Sequence, residues 1–345
     1  MIAASTNGGQ GAEKPAAIRV EHAVKRYGAF EAVKDISFSV ADGEIFGLLG
    51  PNGAGKSTLI RMMTTLIPLT GGRAIVEGHD VAKDPDAVRR VIGVIPQALT
   101  SDPDLTVGEN LSIYAKLYSV PRVEREKNIA DVLEAVDLTK WREAQVKTLS
   151  GGMRRRLEIA RGLVHNPHIF FLDEPTTGLD PVSRIAVWEM LDNLRRTRNL
   201  TMLLTTHYME EADKLCDRIA IVDHGKLVAL GSPIELKHSV PGANVVEVHF
   251  EHEKEEWQKR LEGLEGVTSV QAESAGFYRV LTSSGSRTTM QLVELAASLG
   301  ETLTSLSVQN TTLDDVFVHY TGRQLRDEQV KPPVFTLPPR PGAQP

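Results

Sequence analysis

Cysteine and long apolar runs are both scarce in this sequence, and each scarcity excludes a class of protein. Cys216 is the one cysteine among 345 residues, so neither a disulfide framework nor a thiol-rich metal site is possible. The apolar runs, such as 169–172 and 202–204, have the length of strands, whereas a membrane-spanning helix needs about 20 residues. We therefore expect a chain in the reducing cytosol that does not cross a membrane by itself.

An excess of positive charge is also missing. Lysine and arginine number 39 against 45 acidic residues, which gives a formal net charge of −6. No general basic field would therefore attract nucleic acid or anionic lipid. Hydrophobic residues make up 41% of the chain and charged residues 24%, which is typical of a globular protein. The length favours two domains, at roughly 150 residues per domain.

Composition and turn-forming residues divide the chain into four regions. Residues 1–17 are small and polar without an apolar signal core, and we interpret them as a flexible leader. Residues 18–240 form the first domain, and a Pro-Gly pair at 241–242 marks a linker. The elements of 244–325 follow the order that is typical of a small α+β domain of ferredoxin-like type. Residues 326–345 are proline-rich, so we predict a disordered tail.

The first domain alternates strands with helices. Short antiparallel strands are predicted between Ile18 and Leu49, where the last strand leads into a glycine-rich loop and a helix. The pattern is helical between about 97 and 167, and it includes three arginines at 154–156 that we interpret as a solvated helix face. Strand-like runs then alternate with helices, as βαβ units require. The sequence thus predicts an α/β fold with a helical insertion.

The glycine-rich loop has the pattern of a phosphate-binding P-loop. Its glycines let successive backbone N–H groups curl toward an anion, Lys56 brings a charge to the β and γ phosphates, and the Ser57 hydroxyl can bind Mg²⁺. A glycine-rich turn without a ligand is the alternative, but it does not account for the flanking strand and helix. The predicted nucleotide-binding residues here are Gly50, Pro51, Asn52, Gly53, Ala54, Gly55, Lys56, Ser57 and Thr58.

Three polar residues follow apolar strands and should lie at the sheet edge that carries this loop. Asp173 and Glu174 end one strand, and His207 follows another. We expect Asp173 to reach Mg²⁺ through its water shell and Glu174 to orient or deprotonate the attacking water. His207 is a candidate contact of the γ-phosphate. The alternatives are two acids that cap the next helix and a histidine that starts one.

A second helix terminus suited to anions lies at Ser150, Gly151 and Gly152. One chain does not need two such termini for one phosphate tail. A head-to-tail dimer, with each nucleotide between the P-loop of one protomer and the Ser150 loop of the other, accounts for both. The alternative is that Ser150 is an ordinary N-cap.

Together these motifs resemble the ATP-binding cassette superfamily over roughly two thirds of the chain. Residues 50–57 resemble its Walker A motif, 169–174 its Walker B motif and 149–153 its signature, while 178–180 resemble the D-loop and His207 the switch histidine. The implied fold is a P-loop NTPase cassette, in which a mixed sheet with flanking helices carries an antiparallel β subdomain and a helical subdomain. The implied ligands are ATP and Mg²⁺.

The resemblance implies further site residues. Gln97 is similar to the Q-loop glutamine that senses Mg²⁺ and faces the permease, Tyr27 to the aromatic residue that stacks on adenine, and Asp180 to the D-loop aspartate at the nucleotide site. Met153 departs from the glutamine that many members carry after the signature glycines. We expect hydrolysis to survive this change, because a hydroxyl and backbone amides suffice to contact the γ-phosphate.

Two regions resemble the branch typified by daunorubicin-resistance exporters, namely 150–160 together with 166–181, and the end of the second domain at 311–323. This resemblance implies an ATPase subunit on the cytoplasmic face of the membrane that powers export through a separate permease. The alternatives are a soluble cassette ATPase that acts on ribosomes or DNA, and a structural protein that binds nucleotide without turnover. The acidic chain weakens the first alternative, and the presence of Glu174 and His207 weakens the second.

Overall fold

The computed structural model describes residues 16–240, 244–253 and 256–322. The predicted tail at 326–345 and the linker at 241–242 lie outside the described residues, as does the predicted leader except for Ala16 and Ala17, which begin the first strand.

The described residues contain fourteen strands and eleven α-helices, which are joined by loops and turns. In chain order the strands are β1 Ala16–Tyr27, β2 Phe30–Ala41, β3 Ile45–Leu49, β4 Gly71–Val76, β5 His79–Asp80, β6 Ile92–Ile95, β7 Ile169–Asp173, β8 Thr201–Thr206, β9 Arg218–Asp223, β10 Lys226–Gly231, β11 Asn244–Phe250, β12 Val267–Ser274, β13 Phe277–Thr282 and β14 Leu303–Asn310. The helices are α1 Lys56–Met63, α2 Pro85–Val91, α3 Val107–Leu117, α4 Arg122–Ala135, α5 Gly151–Leu163, α6 Pro181–Arg198, α7 Met209–Leu215, α8 Pro233–His238, α9 Trp257–Glu262, α10 Gly285–Ser298 and α11 Leu313–Thr321.

A six-stranded mixed sheet forms the centre of the first domain. Its order is β10-β9-β3-β8-β7-β6, and every pair is parallel except the β10–β9 hairpin. Every residue of β3 and β8 is buried, because helices or the second sheet cover both faces of these strands. The carboxyl ends of β3, β7 and β8 are therefore neighbours, and the loops that follow them meet at one edge.

The predicted subdomains flank this sheet. The antiparallel sheet has the order β2-β1-β4-β5 and shares a core with α1, in which Phe38 stacks on Phe46 with ring centroids 5.1 Å apart. The helical insertion consists of α3, α4 and α5. Thr106 begins α3 with a reciprocal capping box to Glu109, which satisfies two backbone groups that would otherwise lack partners. No helix within the described residues combines the length and apolarity needed to cross a bilayer.

The small C-terminal sheet has the strand order β12-β13-β11-β14, with all neighbours antiparallel. With α9 after β11 and α10 after β13, this is the connectivity of a ferredoxin-like unit. Its own core includes Trp257, which stacks on Phe250 with ring centroids 3.8 Å apart.

The last helix, α11, packs on the first domain. Leu313, Val316 and Phe317 are at most 2% exposed, and they belong to the core cluster that contains residues of α7 and α8. The hydroxyl of Tyr320 also donates to Ser239 Oγ at 3.0 Å. The sequence prediction grouped this helix with the small domain at 244–325, whereas its apolar stripe at positions i, i+3 and i+4 is buried in the core of the first domain.

Candidate nucleotide site

The glycine-rich loop is held by backbone contacts that leave no room for side chains at two positions. A Cβ on Gly50 would collide with the carbonyl oxygen of Val222, and a Cβ on Gly55 would lie 2.6 Å from that of Ala32. Gly55 also has a φ of 108°, which side chains other than glycine's rarely adopt. Helix α1 begins directly after it, so the loop amides and the positive end of the helix point to the same space. This cradle fits a phosphate chain.

Lys56 lies at the centre of the loop and is 4% exposed. Its Nζ donates to the carbonyl oxygens of Gly50 at 2.7 Å and Pro51 at 3.0 Å, and it lies 3.7 Å from Glu174 Oε1. Burial lowers the pKa of Lys56, while the charges of Glu174 and Asp173 act in the opposite direction. The ammonium group is thereby fixed where the loop amides converge.

Two hydroxyl groups share one oxygen of Asp173. Ser57 Oγ donates to Asp173 Oδ1 at 2.9 Å, and Thr205 Oγ1 donates to the same atom at 2.6 Å. A hydroxyl and a carboxylate are hard oxygen donors of the kind that Mg²⁺ accepts. Within the described ranges there is no group of three or more His, Cys, Asp or Glu side chains able to hold a metal ion. Ser57 and Asp173 thus fit an ion that takes its other ligands from phosphates and water.

Glu174 is surrounded by donors. Its Oε2 accepts from Gln97 Nε2 and from Thr177 Oγ1, both at 3.0 Å, and lies 3.3 Å from His207 Nδ1. Burial opposes ionisation, but the interaction with His207 and the charge of Lys56 outweigh it, so the pKa of Glu174 lies below its ordinary value. The carboxylate is therefore charged at neutral pH and able to accept a proton from water.

The backbone at Glu174 has a φ of 48°, which is uncommon for a residue other than glycine. Its N–H donates both to the carbonyl oxygen of Thr205 at 3.2 Å and to the hydroxyl of Thr205 at 3.0 Å. These bonds to the next strand hold the turn that aims the carboxylate at the P-loop.

His207 contacts Glu174 but makes no hydrogen bond of ordinary geometry through Nδ1, which is buried. Its ring lies 4.1 Å from that of Tyr208, and Tyr208 in turn packs under the guanidinium of Arg184. The imidazole is therefore positioned from one side by aromatic packing, and its other side faces the carboxylate.

Two predicted residues, Ser150 and Asp180, make their hydrogen bonds outside this cluster. Ser150 is exposed and accepts a hydrogen bond from Met153 N at 3.3 Å as the N-cap of α5. Asp180 caps α6 in the same way, and its hydrogen bonds from Ser183 lower the pKa of Asp180. No hydrogen bond or ion pair between described residues joins either cap to the P-loop. Ser150 thus makes the N-cap contact of its alternative interpretation, and the roles of Ser150 and Asp180 at a nucleotide stay predictions.

Tyr27 ends β1 opposite Phe30, and 47% of its surface is exposed. Lys25 Nζ lies 5.2 Å from the ring centroid. The side chain is available to stack on a flat partner, and its role as the adenine contact stays a prediction. Gln97 donates to Glu174 rather than to Ser57 or Asp173, so its role as a metal ligand also stays a prediction.

The structure adds residues that the sequence analysis did not assign to the site. Thr205 and Thr177 donate to the two acidic residues, and hydroxyls next to the predicted strand end and in the following loop could have been recognised as candidates. The prediction for 154–156 was wrong at Arg155, which is 3% exposed and donates to backbone carbonyls beside Glu174. It is buried because α5 is covered on most of its faces.

Comparisons with known proteins agree with this geometry. The family model described as ABC transporter matches residues 33–177. The daunorubicin/doxorubicin resistance ATP-binding protein DrrA of Streptomyces peucetius is 40% identical over 317 residues, which covers 91% of this chain and 95% of the relative. Nod factor export ATP-binding protein I of Ralstonia nicotianae is 38% identical and covers 90% of this chain and 95% of its own.

A solved structure is similar as well. It is that of cbiO1 from Clostridium perfringens, part of the ABC transporter complex cbiONQ, with a TM-score of 0.60 and 27% identity over 64% of this chain and 90% of its own. The Streptomyces peucetius relative is 40% identical over 91% of this chain. The protein therefore belongs to the ATP-binding proteins of the ABC transporter family and is an ATPase.

Proposed function

We propose that this protein is the ATP-hydrolysing subunit of an ABC exporter and drives a separate transmembrane permease from the cytoplasmic face of the membrane. The observation that carries the proposal is the Glu174 carboxylate, which contacts Lys56, Gln97, Thr177 and His207 at the mouth of the P-loop. The names of two relatives, one of drug resistance and one of Nod factor export, support an exported hydrophobic drug, lipid or similar substrate.

Within one site, the roles divide by position. Glu174 takes the proton of the attacking water, and Lys56 stabilises the charge that develops on the transferring phosphoryl group. His207 holds the Glu174 carboxylate and contacts the γ-phosphate. Ser57 and Asp173 hold Mg²⁺, which supplies further charge stabilisation when bound. Gln97 senses that ion, and Tyr27 stacks on the adenine.

The site is completed by a second cassette in head-to-tail orientation. Ser150 and the backbone amides of Gly151 and Gly152 then face the γ-phosphate bound by the partner, with Asp180 beside them. The exposure of Ser150 and Gly151 supports this arrangement. ATP binding closes the two cassettes and hydrolysis reopens them, so an isolated monomer turns over slowly.

A groove beside the Gln97 segment is the surface that we assign to the permease. Its volume is about 1060 Å³. It lies between the central sheet and the helical insertion, and Pro96 in its wall immediately precedes Gln97. Its lining is mostly apolar and includes Leu66, Pro96, Leu117 and Tyr118, and its charged residues have both signs, since Arg89 and Arg90 lie with Asp86 and Glu124. A cytoplasmic segment of the permease with apolar anchors and flanks of mixed charge fits this surface.

Glu174→Gln tests the proposal against the matched control Glu134→Gln, a change at an exposed acid of α4. Phosphate release is measured for both variants, and light scattering follows dimerisation with ATP and Mg²⁺. We expect Glu174→Gln to lose turnover and to remain a dimer with ATP, while the control behaves as the wild type. Unchanged turnover of Glu174→Gln would reject Glu174 as the base, and a chain that stays monomeric with ATP would reject the shared site.

A further inference from the structure

Arg155 is a buried cation whose partners are almost all backbone carbonyls of the two loops that carry Gln97 and Glu174. Its Nε donates to Pro175 O at 2.5 Å, Nη1 donates to Pro96 O at 2.9 Å, and Nη2 donates to Glu174 O at 3.2 Å. Longer contacts reach the carbonyl oxygens of Asp173 at 3.4 Å and Gln97 at 3.5 Å. One guanidinium thus spans both loops.

Among the described side chains no carboxylate forms a salt bridge with Arg155, although the charges of Glu158, Glu211 and Asp173 act on it from farther away. Removing a guanidinium from water has a large free-energy cost, which these charges and the carbonyl dipoles only partly offset. An apolar residue would fill the same place on α5 at less cost. The five N–H donors of the planar fork, which arginine alone supplies, are what these carbonyls use.

The two loops also meet directly, because Gln97 Nε2 donates to Glu174 Oε2 at 3.0 Å. That bond depends on the relative position of the two loop backbones. Among the described side chains, Arg155 is the one that donates to backbone carbonyls of both loops. Arg155 also lies one helical turn after Ser150, Gly151 and Gly152, at the start of α5. Any displacement of the α5 terminus is therefore transmitted to both loops.

We propose that Arg155 is a positioning residue that fixes the Gln97 loop and the Glu174 loop relative to each other and to the start of α5. It acts through the Glu174 carboxylate rather than on the reacting atoms. The inference rests on the proposed role of Glu174 as the base and goes beyond it, since it assigns the alignment of that base to a residue of the signature helix. Neighbouring arginines do not share the role, because Arg154 donates to Leu149 O and Arg156 pairs with the exposed Asp137.

The test replaces each of the three arginines by lysine in the full chain, which keeps the charge and removes the fork. ATP turnover in the presence of Mg²⁺ is measured as phosphate release well below the Tm of each variant, and kcat and KM are determined separately. We expect Arg155→Lys to lower kcat by roughly tenfold or more, because a small misplacement of a catalytic group is that costly, with little change in KM. Arg154→Lys and Arg156→Lys should resemble the wild type.

Three results would overturn the proposal. They are a wild-type kcat in Arg155→Lys, an equal loss in Arg154→Lys, or a lower kcat in Arg155→Lys that is accompanied by an equally large change in KM. If Arg155→Lys does not fold, Arg155→Gln, which keeps an amide donor for one loop, carries the same expectations. Glu174→Gln is measured beside these variants. Activity of Glu174→Gln would mean that the assignment of the base is wrong. Activity of Arg155→Lys with an inactive Glu174→Gln would mean that only the Arg155 assignment is wrong.

Discussion

Ser183 of α6 packs against Gly152 so closely that a Cβ on Gly152 would lie 2.9 Å from Ser183 Oγ. Gly151, the residue before it, has no atom within 4 Å of the corresponding position. Two adjacent glycines of the signature therefore differ within a single chain. A side chain at Gly152 would press on Ser183 of the same chain, whereas no atom of the described residues lies within 4 Å of where a side chain at Gly151 would begin.

Gly151→Ala separates the monomer from the dimer. Alanine at the first position of α5 should leave the free energy of unfolding unchanged or slightly increased, because alanine favours helix. If a partner's γ-phosphate approaches this backbone, the added methyl group should lower ATP turnover by about tenfold or more. Turnover and denaturant unfolding are measured on the same preparation. Full activity would contradict the head-to-tail site.

Gly152→Ala is the matched comparison. Its methyl group collides with Ser183, so stability should fall, and the Gly152→Ala/Ser183→Gly pair should recover part of the loss. Recovery of stability without recovery of turnover would assign to Gly152 the same partner contact as Gly151. A stability of Gly152→Ala equal to that of the wild type would mean that the close packing is not maintained in solution.

Glu211 of α7 should make stability depend on pH. The carboxyl is fully buried, and its Oε1 accepts from Thr176 Oγ1 at 2.8 Å and Trp188 Nε1 at 3.0 Å. Burial raises the pKa of Glu211 above 4.5, although those bonds and the charge of Arg184 oppose the shift. The unfolded chain therefore loses this proton at a lower pH than the folded chain does. The stability contribution is complete below about pH 4.5 and declines as pH rises toward the folded pKa, by up to about 1.4 kcal/mol per pH unit.

Glu211→Gln isolates the pH-dependent contribution of Glu211 to stability, because the amide oxygen still accepts both hydrogen bonds and the amide does not titrate. As pH rises above about 4.5, the unfolding free energy of the wild type should fall relative to that of the variant. Arg155 and Cys216 also interact electrostatically with Glu211, but both are common to the two proteins. Glu210→Gln, an exposed neighbour on the same helix, is the control. A pH-independent difference would show that Glu211 has an ordinary pKa.

Phe317 should stabilise the first domain although it lies at the end of the described chain. It is 1% exposed in the core that contains α7 and α8, and Phe→Ala changes in such sites cost about 3–5 kcal/mol. The affected unfolding transition should be the one that ATP shifts to higher denaturant, because ATP binds the folded first domain. Val318→Ala, at a position 38% exposed, should have a small effect. An effect confined to a transition insensitive to ATP would assign α11 to the small domain.

The arrangement of the site was predictable where it depends on sheet geometry. Parallel strands end at a common edge, so a P-loop after β3, acids at the end of β7 and a histidine after β8 had to be neighbours, and Lys56, Ser57, Asp173, Glu174 and His207 do meet there. This reasoning needs only that the strands are parallel, so that their carboxyl ends lie at one edge of the sheet. The branch resemblance also identified the family correctly.

Features that depend on tertiary packing were not predictable. Three consecutive arginines look solvated in sequence, and only the burial of α5 on most sides distinguishes Arg155 from Arg154. Likewise, the apolar stripe of α11 indicates that the helix is buried but carries no information on which core receives it. Thr205 and Thr177 were missed because hydroxyls in strands and turns are common and have no pattern of their own.

The burial of α11 in the first domain has a consequence for synthesis. Domains generally fold in order as the chain leaves the ribosome, but this first domain cannot finish when residue 240 emerges. The part of the core on α7 and α8 against which α11 packs stays open until α11 arrives, after the whole ferredoxin-like unit has been made. A truncated nascent chain would thus display an uncovered patch, and only a chain translated as far as Phe317 would yield a cassette with a closed core.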